Sequence, residues 1–256
     1  KKRVIGRLMV FIGIKNMKIK LLKNKHRLLV FIKQIKDYIF PIYCLDCNKE
    51  GDWLCEDCYK KLDLSGRFFC PVCHLPTEYG ECCANCLEQS FLDKEIAILK
   101  YSEQEIIGKI IHNLKYNYAE DLEDLIKKII IEFCQKNSSL FTEVTEIVLV
   151  PLHKKRYAER GFNQAEIIAK SLAEILSLPI NKNLKRIRYT KQQAKLNKKE
   201  RAENINEAFA LLGKNISSTI ILVDDVFTTG STMQACAKVL KEKGVKKVIG
   251  FTLARG

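Results

Sequence analysis

Ile220-Ile221-Leu222-Val223-Asp224-Asp225-Val226-Phe227-Thr228-Thr229-Gly230-Ser231-Thr232 is the stretch on whose reading the fold depends. Four aliphatic residues in a row read as a short strand buried on both faces, as in a parallel sheet. Two carboxylates end the apolar run, and a hydroxyl-rich turn with a single glycine follows. Met233, Ala237 and Leu240 then mark one stripe of a helix. Strand, small polar loop and helix N-terminus, in that order, form a seat for phosphate. The unpaired N–H groups and the positive end of the helix dipole attract an anion, and Gly230 lets the backbone come close to it. Asp224 and Asp225 stand at the carboxyl end of the strand, where open α/β sheets bind ligands. Phosphate would repel them, so they suit ribose hydroxyls or a bound Mg²⁺. A plainer reading, an ordinary buried strand whose acids cap a helix, leaves two adjacent carboxylates costly at a strand end. The loop is not a P-loop, because no Gly-Lys-Ser/Thr follows a four-residue spacer.

The stretch resembles the motif by which type I phosphoribosyltransferases bind 5-phosphoribosyl 1-pyrophosphate (PRPP): hydrophobic strand, acidic pair, then a Thr-Thr-Gly-x-Thr-like loop. The resemblance implies that Thr228, Thr229, Gly230, Ser231 and Thr232 cradle the ribose 5-phosphate. It implies also that Asp224 and Asp225 bind the 2- and 3-hydroxyls.

Upstream, residues 147–150 predict a second buried strand closed by Pro151. A helix is expected from about Asn163 to Leu176, with Ala165, Ile168, Ala169, Leu172 and Ile175 facing inward. Between them, residues 151–164 read as a loop in which His153, Lys154, Lys155, Arg156 and Arg160 can present positive charge. The forked donors of arginine match phosphate oxygens, and a leaving pyrophosphate needs cations where its charge develops. A pyrophosphate-binding loop at His153, Lys154, Arg156 and Arg160 is therefore expected, with a merely solvated basic loop as the competing reading.

Further upstream, residues 95–101 read as a strand and 103–115 as a helix. Residues 119–135 form an amphipathic helix with Leu122, Ile126, Ile129 and Phe133 on one face, broken at Asn137-Ser138-Ser139. Strands alternating with helices of this length predict an α/β fold with a doubly wound, mostly parallel sheet. Residues 188–209 make a long polar connection. It reads either as a lid that brings Arg201 or a lysine to a reacting group, or as a disordered loop.

Eleven cysteines occur, nine of them from Cys44 to Cys86. They fall into the pairs Cys44/Cys47, Cys55/Cys58, Cys70/Cys73 and Cys83/Cys86, with Cys82 left over. Each Cys-x-x-Cys aims two thiolates at one ion, and two such turns complete a tetrahedral Cys₄ zinc site. Units this small need a metal to hold them folded. One or two structural Zn²⁺ ions are expected, with no open position for water; disulfide, redox and iron–sulfur readings compete. The simplest pairing joins the first two pairs and the last two, an interleaved one fits the spacing as well, and Cys82 could replace Cys83. Cys134 and Cys236 read as small buried hydrophobes.

The chain has 256 residues and a net charge of +14. Residues 1–36 carry twelve Lys and Arg and no acid, so nearly all of that excess belongs to a leader attracted to polyanions. The apolar run at residues 8–14 is too short to span a bilayer and lacks a cleavage site, and Met17 reads as an alternative start. No transmembrane segment is expected, and the cytoplasm is the default location. The domain reading is a basic leader at 1–40, disordered or helical, a double zinc ribbon at 41–90 and a phosphoribosyltransferase-like domain at 91–256.

Taken in order, these segments resemble the ComF (ComFC/GntX-like) family, predicted amidophosphoribosyltransferases associated with DNA uptake in naturally competent bacteria. Cysteine ribbons precede Leu114-Lys115-Tyr116, and Arg160-Gly161-Phe162-Asn163-Gln164 follows a Val-Pro-Leu strand end. Arg188, Gln193, Leu196, Arg201, Asn204 and Ala208-Phe209 mark the polar loop, and the Asp-Asp-Val-Phe-Thr-Thr-Gly-Ser-Thr run closes the order. The resemblance implies PRPP or a related phosphorylated ribose as ligand, Mg²⁺ with it, and single-stranded DNA and competence machinery as partners. Arg201, Lys154 and Arg156 are the candidate catalytic residues. Purine transferases carry an aspartate where Thr228 stands here, so that proton-handling role has no candidate. A non-catalytic DNA-handling factor using the same cleft is the alternative; Tyr157, Phe162, Tyr189 and Trp53 are its only aromatic platforms.

Overall fold

The computed structural model describes residues 41–116, 122–188, 208–213 and 215–256. The basic leader, the lid expectation for most of 188–209, and with it Arg201, lie outside the described residues. The chain divides into two compact units, residues 1–55 and 56–256.

In the first unit, residues 42–51 form a knuckle. Tyr43 bridges Glu50 antiparallel, the Cys44 N–H donates to the Lys49 carbonyl at 2.8 Å, and Asn48 turns the chain with φ 63°. The second unit contains the same knuckle again. Phe69 bridges Pro76, the Cys70 N–H donates to the Leu75 carbonyl at 2.8 Å, and His74 turns the chain with φ 61°. In each, the left-handed residue directly follows the second cysteine of a pair, which folds both thiols toward the same point.

The second unit is built on a six-stranded sheet in the order β1-β2-β8-β7-β3-β4. Its strands are β1 (Arg67–Phe68), β2 (Lys94–Lys100), β3 (Glu146–Leu149), β4 (Ile180–Asn181), β7 (Thr219–Phe227) and β8 (Lys247–Arg255). Only β1 runs antiparallel to its neighbour. It precedes the second knuckle in the chain, so that cysteine module grows directly from the sheet edge. A separate antiparallel pair, β5 (Leu184–Arg186) with β6 (Phe209–Leu211), ties together the two ends of the polar connection.

Among the described residues the α-helices are α1 (Glu56–Tyr59), α2 (Ile106–Tyr116), α3 (Leu122–Lys136), α4 (Lys154–Arg160), α5 (Gln164–Leu176) and α6 (Ser231–Glu242). Strand side chains alternate between faces. On one face Ile220 and Leu222 join Met233, Cys236, Ala237 and Leu240 of α6 in a single core cluster. On the other, Ile221 and Val223 point toward α5, which packs on β7 and β3. All four aliphatics are fully buried, each a gain of about 2 kcal/mol from area removed from water. The doubly wound, mostly parallel sheet expected from the alternation is the observed architecture.

Two expectations need correction. The acids do not end the strand: β7 continues through them to Phe227, because β8 pairs with it all the way to Phe227 opposite Arg255. Residues 151–164 are not an open loop. Lys154–Arg160 form the short helix α4, begun by His153, whose Nδ1 accepts from the Lys155 N–H at 3.2 Å, and ended by Gly161 at φ 77°. Gly161 takes the left-handed conformation that ends helices and disfavours other residues.

Candidate functional site

β3 leads through α5 outward to β4, while β7 leads through α6 in the opposite direction to β8. The chain therefore changes direction between β3 and β7, and such a switch point leaves a crevice at the strands' carboxyl ends. Pairing between them stops at Leu149 opposite Val223, so residues 224–227 have no β3 neighbour. The crevice there has a volume of about 340 Å³. It is lined by Lys115, Leu152, Arg156, Arg160, Asn163, Gln164, Arg186 and the run from Asp224 to Met233.

The acidic wall is held by local bonds and one cation. The Asp225 N–H donates to Asp224 Oδ1 and the Val226 N–H to Asp225 Oδ1, each at 2.9 Å. Lys115 Nζ lies 2.6 Å from Asp225 Oδ2. Burial, reinforced by the Asp225 charge, pushes the Asp224 carboxyl up to about 8 against the pull of the Asp225 N–H and Lys115. Near neutral pH this acid keeps its proton. Burial also acts against the charge on Lys115, but the Asp225 carboxylate overcomes it and holds the ammonium above its ordinary range.

The hydroxyl-rich loop of residues 228–232 follows at once. Gly230 has φ 72° and leads directly into α6. Phe227 lies beneath it so closely that a Cβ on Gly230 would come within 2.4 Å of the ring's Cζ. Thr229 Oγ1 and Ser231 Oγ are 2.9 Å apart. With the first-turn N–H groups of a twelve-residue helix at its end, the loop offers amides and hydroxyls to an anion.

The opposite wall is basic. Arg160 Nη1 donates to Gln164 Oε1 at 3.0 Å, and Gln164 Nε2 to the Leu114 carbonyl at 3.4 Å. Asn163 is buried; its Nδ2 donates to the Val150 carbonyl at 2.9 Å and its Oδ1 caps α5 at the Ala165 N–H. The Arg-Gly-Phe-Asn-Gln segment thus anchors the strand end, α5 and the end of α2 to one another while presenting Arg160.

Of the residues singled out from sequence, Asp224, Asp225, Thr228 to Thr232, Arg156 and Arg160 come together in this cleft. His153 serves as the cap of α4, and neither it nor Lys154 is among the lining residues. Lys115 and Arg186 were not predicted. Lys115 stood only inside a resembling segment, and Arg186 comes from a strand with no motif of its own. A lysine directly after Leu114, in the last turn of α2, carries no local signal of a salt bridge 110 positions away.

The cysteines form two groups, Cys44/Cys47/Cys55/Cys58 and Cys70/Cys73/Cys83/Cys86, whose sulfurs within each group all lie within 4.8 Å of one another. Cys47 and Cys55 are 3.6 Å apart, Cys73 and Cys83 3.7 Å. Four thiolates around zinc at bond lengths of about 2.3 Å stand roughly 3.8 Å apart, so both groups fit a structural zinc ion. Burial acts to raise the Cys44 and Cys70 thiols, but backbone amides outweigh it, those of Cys47, Cys55 and Asp46 for the first and Cys73, Cys83 and Val72 for the second; each falls to about 6. The pairing is sequential, not interleaved. Cys82 stays outside, its thiol pushed up to about 11 mainly by burial. Cys134 and Cys236 are buried, as expected of small hydrophobes. No helix among the described residues is long and apolar enough to cross a membrane.

Residues 119–256 match the phosphoribosyl transferase domain family. The chain is 30% identical over 230 residues to Competence protein F of Haemophilus influenzae, covering 84% of this chain and 98% of that protein. It is 31% identical over 217 residues to Competence protein ComFC of Bacillus subtilis, covering 81% and 86% respectively. To DNA utilization protein YhgH of Escherichia coli it is 26% identical over 211 residues, covering 80% and 92%. The domain match and these relatives along most of its length show that the chain belongs to the ComF family of phosphoribosyltransferase-domain proteins.

Proposed function

We propose that the cleft binds PRPP, or a closely related phosphorylated ribose, as its magnesium complex, and that the protein acts in the uptake or use of DNA, as its relatives' names indicate for them. The observation that carries the first part is the adjacency of an acid pair and an anion loop in one cavity faced by cations. In this reading Thr228 to Thr232 hold the 5-phosphate, and Asp224 and Asp225 take the 2- and 3-hydroxyls. Arg156 and Arg160 meet the pyrophosphate, with Lys115 and Arg186 adding to the cationic side. Four cations against two acids, one of them protonated near neutrality, favour a polyanion over a neutral sugar.

If an acceptor is present, its nucleophile bonds to C1 of the ribose as the C1–O bond to pyrophosphate breaks. The bonding pair leaves on the pyrophosphate, and Arg156 and Arg160 stabilise the charge that develops there. Residues 41–90 act as a double zinc ribbon ahead of a 91–256 transferase-like domain, and the cytoplasm is the site of action.

Calorimetric titration of the full chain with Mg–PRPP tests the reading. Binding in the micromolar range is expected, with loss of at least tenfold in Asp225→Asn. A second reading rests on exposed Tyr157, which stands on α4 with Arg156 and Arg160: the same basic wall holds single-stranded DNA without turnover. Then oligonucleotide affinity falls steeply with salt and Asp225→Asn leaves it unchanged, while absence of Mg–PRPP binding discards the first reading.

A further inference from the structure

A buried ion pair links the second cysteine tetrad to the ring beneath Gly230. Arg255 ends β8 and Glu95 lies on β2; both are buried. Arg255 Nη1 is bonded to Glu95 Oε2, and Thr252 Oγ1 donates to Glu95 Oε1 at 3.2 Å. The second arm of the guanidinium reaches the cysteine module: Nη2 donates to the Cys70 carbonyl at 3.1 Å and to His74 Nδ1 at 2.8 Å. Cys70 belongs to the second tetrad and His74 directly follows another of its members. The guanidinium carbon lies 4.7 Å from the centre of the Phe227 ring, over its face, and the ring also meets His74 edge-on at 6.3 Å. Phe227 is the ring beneath Gly230.

A buried ion pair is a poor way to gain stability, since well-packed apolar groups serve as well or better. Its distinguishing property is fixed geometry. A planar fork with matched acceptors on the knuckle, clamped from behind by Glu95, has one position. We propose that Arg255 is a positioning residue that couples the second tetrad to the anion loop, so that metal held by Cys70, Cys73, Cys83 and Cys86 sets the conformation of residues 228–232 through Phe227. Metal fixes the knuckle; the knuckle fixes the Cys70 carbonyl and His74; these hold the guanidinium against the Phe227 ring, and Phe227 supports Gly230. The effect on ligand affinity rests on the sugar-phosphate reading of the cleft, whereas the effect on the loop itself does not.

The test uses the full chain with zinc content measured on each sample. Amide hydrogen exchange of residues 228–232 is followed without ligand, and Mg–PRPP affinity is measured in parallel. The variants are Arg255→Lys, which keeps a charge opposite Glu95 but loses the fork, Cys73→Ser, which empties the second tetrad, and the double variant. Arg255→Lys should retain its zinc yet exchange the loop amides about tenfold faster and bind Mg–PRPP about tenfold more weakly. Cys73→Ser should do the same, and the double variant no more than either, because both break one chain of contacts. Unchanged loop exchange in zinc-loaded Arg255→Lys, or losses that multiply in the double variant, would overturn the coupling. Should Cys73→Ser fail to fold, zinc-loaded Arg255→Lys still decides. If the parent protein ignores Mg–PRPP while the loop responds as described, the ligand reading falls and the coupling stands.

Discussion

Lys115 Nζ lies 2.6 Å from Asp225 Oδ2, so the last turn of α2 supplies the counter-charge for acids carried by β7. Both side chains are largely withdrawn from water, and removal of one leaves the other short of a partner. Lys115→Met should therefore cost about 1–3 kcal/mol in urea denaturation at pH 8, and adding Asp225→Asn should restore most of it. Independent, additive losses would show that the contact contributes nothing to the fold.

Asp224 predicts a pH dependence. In the fold it keeps its proton to about pH 8, because burial and the Asp225 charge disfavour ionisation; in the unfolded chain it ionises near its ordinary value of about 4. Between these values the folded state binds more protons than the unfolded one. The stability this group contributes is thus complete below about pH 4 and lost as pH rises through about 8. Thermal unfolding from pH 5 to 9 should show Asp224→Asn with a flatter profile and a higher midpoint than the parent at pH 8. Parallel profiles would mean that the proton is not held.

Gly230 combines φ 72° with a ring where a Cβ would sit. Gly230→Ala should lower stability by about 1–3 kcal/mol and weaken phosphate-ligand binding at least tenfold. Equal affinity in calorimetry would show that the loop does not need this close contact.

The two tetrads predict two zinc ions per chain by elemental analysis. Cys47→Ser and Cys73→Ser should each reduce that number to one, and chelation should lower the melting temperature. A purified chain with full fold stability and no zinc would refute both sites.

Much of this was legible locally. Ile220 to Val223 announced a buried strand through four aliphatic side chains, and the Cys-x-x-Cys spacing announced the tetrads, because two thiols on one turn can hardly do otherwise than converge. The continuation of β7 through Asp224 to Phe227 was not legible, since pairing with β8, from Thr252 to Arg255, imposes it from elsewhere in the chain. The helix α4 was hidden by its polar composition, Lys-Lys-Arg-Tyr-Ala-Glu-Arg, in which no apolar stripe marks a period; its ends, His153 and Gly161, were the readable sign. Arg186 reaches the cleft from β5 only because Phe209 to Leu211 pair with that strand. The left-handed Asn48 and His74 follow their cysteines at equivalent places, a repetition that spacing alone did not expose.

β7 outruns β3 by four residues, from Asp224 to Phe227, with β8 still bonded along its far side. The main chain under the pocket is therefore paired with β8 on one flank and free of β3 on the other, a pairing that does not depend on the side chains at the rim. Exchanges at positions such as Arg156 or Arg186 can change which molecule is admitted without remodelling the shelf it rests on. One scaffold can in this way drift between chemistries while its foundations stay in register.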